Sequence, residues 1–157
     1  MRSNAFNVAE ARAIATRILN EPPLRRHTER VAADGEIVAR FALPLRICPT
    51  TNGTRHGQPR VLAKMKSDCL LLMRLQLPST RAPWPLSGRP QVRCVRFSSV
   101  EADAYSDWAK IPVDCLVKLG ILVDDRPSCI ALHQWCEPAP RGNGCALIEV
   151  WTGKETT

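Results

Sequence analysis

Proline divides this chain more firmly than any other residue. Pro22 and Pro23, Pro44, Pro49, and the group Pro78, Pro83, Pro85 and Pro90 stand between segments whose apolar residues are regularly spaced. A residue that lacks an N–H and fixes φ is excluded from helix interiors and central strands, so the regular elements must lie between these positions. Residues 5–20 set Val8, Ala11, Ile14, Ala15, Ile18 and Leu19 near one helical face, and Glu21-Pro22-Pro23 stops that helix. The polar stretch after it reads as a linker. Residues 1–35 are thus an N-terminal helical extension and 36–153 the main domain.

Within the main domain, Ile37 to Leu43 alternates like a strand, and a polar loop rich in turn formers and basic groups follows it. Residues 61–77 place Leu62, Met65, Cys69, Leu72 and Leu75 at the 3.6 period, a helix with Lys64, Lys66 and Arg74 off its apolar face. Gln91 to Phe97 reads as a strand, 107–119 as a second helix closed by Gly120, and Ile121 to Val123 as a short extended piece. Cys129 to Cys136 and Cys145 to Trp151 are two further strands, joined by EPAPRGNG as a hairpin loop. The expected fold is α/β (α+β): a small mixed sheet of about four strands with helices packed on it.

Net charge is +7, unevenly distributed. Residues 40–98 hold eleven basic side chains against Asp68 alone, a block of +10, whereas 99–157 carry −4. A block of that size repels itself unless solvent or a polyanion compensates it, and nucleic acid is the usual polyanion. A solvated basic face is the alternative. No apolar run approaches the roughly 20 residues of a membrane span, and the N-terminus lacks a signal-peptide core. The expected setting is therefore cytoplasmic and nucleoid-associated, with no membrane partner. In that setting the seven cysteines read as reduced, buried small hydrophobes. Cys129, His133, Cys136 and Cys145 would have to reach a zinc ion from opposite strand faces, which argues against such a site.

At 100° per residue Asp107, Lys110, Asp114 and Lys118 share one stripe, and Asp103 joins it if the helix starts early. Trp108, Ile111, Cys115 and Leu119 form an apolar stripe about 125° away, so one face can enter a core while the charged line stays outside. Alternating charges at these spacings also suit a plain solvent-exposed helix. Pro112 pushes the helix start toward itself, since in an interior it would cost about 3 kcal/mol. Beyond Gly120 come Asp124 and Asp125, adjacent acids that either cap a turn or converge with the helix acids. Converging carboxylates repel unless a cation lies between them, which makes such a cluster a divalent-metal candidate.

These same residues carry a resemblance. The run Asp103-Ala104-Tyr105-Ser106-Asp107-Trp108-Ala109-Lys110, then Asp114-Cys115-Leu116, Gly120 and Val123-Asp124-Asp125, resembles the core of the RusA family of Holliday-junction resolvases. That family reads D-x-D-N-x-x-K, D-x-L, a glycine and a hydrophobic-D-D. Leu43-Pro44 with Pro49-Thr50-Thr51-Asn52 is similar to its first loop, and the match spans about residues 37–152. The resemblance implies a homodimeric endonuclease dependent on Mg2+ (or Mn2+) that nicks branched DNA, four-way junctions, at two symmetric phosphates. Carried over, Lys110 is the catalytic lysine, Asp125 a metal-binding aspartate and Asp114 a structural acid. The family's two upstream metal acids fall on Ala104 and Ser106. Either Asp103 and Asp107 rebuild the site with Asp125 and Asp124, or the metal is lost and the chain binds branched DNA without cutting it. Arg55, Arg60, Lys64, Lys66, Arg89, Arg93 and Arg96 are the expected phosphate contacts.

Overall fold

The computed structural model describes residues 35–48, 59–78, 83–100, 106–139, 141 and 144–152. The expected helix over 5–20 lies outside them. Four strands, β1 (Ile37–Pro44), β2 (Gln91–Ser98), β3 (Ala131–Pro138) and β4 (Cys145–Trp151), form one mixed sheet in the order β1-β4-β2-β3. Strand β4 is antiparallel to both β1 and β2, while β3 runs parallel to β2. The two helices are α1 (Pro59–Leu75) and α2 (Lys110–Lys118), and a 3-10 turn (Leu45–Ile47) follows β1.

The register explains which residues are inside. Ala39, Phe41 and Leu43 of β1, Ala146, Ile148 and Val150 of β4, and Val92 and Cys94 of β2 face the helices in one core. Against them pack Cys69, Leu72 and Met73 of α1 and Ile111, Val113, Cys115 and Leu116 of α2. The sequence stripe on α1 is only partly used. Cys69 and Leu72 are buried, but Leu62 and Leu75, toward the two ends of α1, remain about two-fifths exposed. None of the seven cysteines is in a disulfide, and burial pushes the thiols of Cys48 and Cys94 well above the ordinary cysteine value.

One connection differs from the sequence reading. β3 and β4 are not a hairpin, because β4 lies between β1 and β2, and EPAPRGNG carries the chain from the sheet's edge past β2. The physical reason is composition: CALIEVW is nearly continuous apolar sequence suited to a central strand, whereas β3 leaves Leu132 and Gln134 exposed at an edge. A parallel β2–β3 pair in turn demands a long crossover, which the segment containing α2 provides. At the other edge, Gln76 just after α1 accepts from the Ala42 N–H at 2.9 Å and donates to the Ala42 carbonyl at 3.0 Å. That side chain satisfies backbone groups β1 would otherwise leave open.

Candidate functional site

Helix α2 starts at Lys110, three residues later than the sequence pattern suggests. Pro112 is its third residue, inside the turn whose N–H groups need no helical partner, so its missing donor costs nothing there. The helix ends in a Schellman motif: the Ile121 N–H donates to the Leu116 carbonyl and the Gly120 N–H to that of Val117, both at 3.0 Å. Gly120 takes a φ of 72°, the left-handed value expected for it. Ile121 and Leu116 are both fully buried, which anchors the reversal. The segment after it bends without forming a strand and turns the chain back along α2.

This reversal brings Asp125 to Lys110. The Lys110 ammonium lies 2.5 Å from Asp125 Oδ2 and 2.9 Å from Asp114 Oδ1. The second Asp114 oxygen receives Lys66 from α1 at 3.1 Å. The result is an alternating row, Lys66–Asp114–Lys110–Asp125, half open to solvent. Hydrogen bonding to Asp125, then to Asp114, raises the Lys110 pKa above the ordinary lysine value. The bond from Lys110, then one with Asp124, lowers that of Asp125. Lys110 is therefore a fixed cation at neutral pH. It can neutralise charge on a phosphate but cannot act as a base.

The loop bearing Asp125 is lashed down from behind. Arg89 donates through Nε to the Pro127 carbonyl at 2.9 Å and the Ile130 carbonyl at 3.2 Å, and the Leu86 N–H donates to Ile121 O at 3.0 Å. Asp124, beside Asp125, is also engaged by Arg126: its Oδ2 lies 2.6 Å from Arg126 Nε and its Oδ1 accepts the Arg126 N–H at 3.3 Å. It is a turn-capping acid. Asp107 is exposed, and its carbonyl accepts the Lys110 N–H at 3.2 Å. Asp103 and Arg55 lie outside the described residues. Among the described residues, no three carboxylate, imidazole or thiol side chains gather as a metal would need. They do not, by themselves, fit a magnesium or manganese centre.

The basic set needs correction. Arg93 and Arg96 are 4% and 9% exposed, so neither belongs to an open phosphate-binding surface. Arg93 lies between the rings of Trp135 and Trp151, 5.4 Å from each centroid, and 3.9 Å from Glu149. Arg96 donates to the Val100 carbonyl at 3.2 Å. A central position explains both, since β2 lies between β4 and β3 and its side chains from Val92 to Arg96 are all buried. Arg60 and Lys64 do stay exposed on α1, with Lys64 3.3 Å from Asp68. Lys66 and Arg89 are occupied as above. The Lys110–Asp114 pairing was readable from its spacing of four, but the Lys66–Asp114 and Arg89 contacts are tertiary and left no local signal.

Comparison of the chain with models of known families, with curated proteins and with solved structures returned no match in any of the three. Among the described residues, no helix is long and apolar enough to cross a membrane.

Proposed function

We propose that this chain is a RusA-like endonuclease acting on branched DNA, with Lys110 and Asp125 at its reacting surface. The observation that carries the reading is their meeting at 2.5 Å. The two residues are fifteen apart in sequence, and the family resemblance makes them catalytic lysine and metal-binding aspartate. Lys110 would offset the charge that builds on the phosphate during cleavage. Asp114, held by Lys66 on its other oxygen, fixes the direction of the ammonium. A homodimer would present two such surfaces to the two equivalent phosphates of a junction. Among the described members of the basic set, exposed Arg60 and Lys64 are the ones free to hold its arms. A divalent cation, magnesium or manganese, belongs to the proposal only with Asp103 among its ligands.

A second reading has its own support. Asp124 is engaged by Arg126, and the described residues supply no three-donor set, which favours a protein that binds branched DNA without cutting it. One assay separates the two. Incubation with a synthetic four-way junction and magnesium or manganese is expected to give paired symmetric nicks that the Lys110→Ala variant does not make. Retardation of the junction without nicks under either metal selects the binding reading. No retardation of any DNA at low salt rejects both.

A further inference from the structure

The sheet has a second face, and its side chains do not look like a surface meant for water. Strand alternation puts Ala42, Leu147, Val95 and Trp135 in one row across all four strands, away from α1 and α2. The adjacent row is Arg40, Glu149, Arg93 and His133. Arg40 Nη2 lies 2.7 Å from Glu149 Oε1, and Trp151 Nε1 donates to Glu149 Oε2 at 3.4 Å. Ala42, Val95 and Cys145 on this face are buried, yet none of them belongs to the core beneath the helices. Among the described residues, both helices and the loops that carry Leu86, Ile121 and Ile130 pack on the opposite side.

The chain also supplies a segment of the right kind, length and starting point. The 34 residues before Gly35 enter the domain at the end of the sheet where Ile37 pairs with Trp151. There Glu36 and Thr152 exchange two hydrogen bonds of 3.0 Å, fixing the point of entry. The apolar stripe from Val8 to Leu19 would span about 17 Å as a helix. Four strands span about 14 Å between the outermost axes. Residues 20–36, which extend to about 55 Å, can carry that stripe to any point on the face.

We propose that the apolar stripe Val8, Ala11, Ile14, Ala15, Ile18 and Leu19 docks on this second sheet face, covering Trp135 and Trp151 and making the domain a three-layer structure. The proposal is independent of the reaction proposed above. Hydroxyl-radical footprinting read by mass spectrometry tests it in the full chain, because oxidation is scored tryptophan by tryptophan. The double variant Ile14→Glu with Ile18→Glu is expected to raise oxidation of Trp135 and Trp151 several-fold. Trp108, buried in the core on the helix side of the sheet, should stay protected, and Ala13→Glu on the opposite side of the helix should change nothing. Unchanged protection of Trp135 and Trp151 in the double variant overturns the proposal. So does protection that is lost on dilution of the wild type, which would mean that a second copy covers the face. Should the double variant unfold and expose Trp108 as well, wild-type hydrogen exchange decides: slowed amides over 5–20 uphold the docking, and unprotected ones overturn it.

Discussion

Two ion networks sit on opposite sides of this small domain and are built alike. Lys66–Asp114–Lys110–Asp125 alternates sign along the helices, and Arg40–Glu149–Arg93 alternates sign across three strands. Their surroundings are opposite. In the first, the Lys110 side chain is 51% exposed, and in the second the Arg93 side chain is 4% exposed. Water and salt weaken the first, so each of its pairs contributes little to folding and its charges remain open to an anionic ligand. In the second, Arg93 and Glu149 have lost most of their water and depend on one another, while Arg40 stays 30% exposed at the sheet's edge. Alternating charges thus stay accessible to an anion in one place and are largely enclosed by the fold in the other.

The sharpest way to break this comparison is to remove Glu149. Glu149→Ala strands Arg93 beneath two tryptophans without its carboxylate, and we expect a loss of about 3–5 kcal/mol in urea unfolding. A loss below about 1 kcal/mol would mean that the two networks are energetically alike. Next in size is Lys110→Ala in the exposed row. It should lower junction cleavage by about 100- to 1,000-fold, the usual consequence of deleting a charge-stabilising donor, while thermal unfolding stays near wild type. Equal losses of activity and stability would move Lys110 from the site into the scaffold.

How far the sequence discloses this arrangement depends on the range of the interaction. Period and punctuation locate all four strands and both helices of the described domain to within a few residues, because alternation and proline act locally. Gly120 announces the left-handed cap, and the spacing of four announces Lys110–Asp114. Strand order is not local. The apolar continuity of CALIEVW marks a central strand, but only against the exposed residues of β3 does it show that β4 separates β1 from β2. Arg93 is the instructive miss. Its place in a basic block suggests solvent, and the two rings and the carboxylate that enclose it come from β3 and β4, some 40 to 60 residues on. Charge counted along a chain therefore overstates the charge a ligand can meet.

A third test measures that overstatement directly. If Arg60 and Lys64 contact phosphates, replacing either with alanine should weaken junction binding a few-fold and lower the salt slope of log K by about 1 each. The folding transition should not move, since surface substitutions of this kind stay within about 0.5 kcal/mol. An unchanged slope would place the DNA contact elsewhere on the molecule.

The smallest effect concerns pH, and its sign follows from the two shifts in the exposed row. Asp125 has a lowered pKa, so its pairing stabilises the fold fully above the ordinary carboxylate value of about 4 and fades as pH falls through the lower, folded value. Lys110 has a raised pKa, so the same pairing is complete below the ordinary lysine value of about 10.4 and fades as pH rises through the higher, folded one. The stability difference between wild type and Lys110→Ala should therefore be flat from about pH 5 to pH 9 and shrink toward pH 3. Solvent screening keeps the plateau under about 1 kcal/mol. A difference that instead rises or falls across pH 5 to 9 would mean that a group outside this row controls the charge of Lys110, and the exposed network would no longer be the simple counterpart of the buried one.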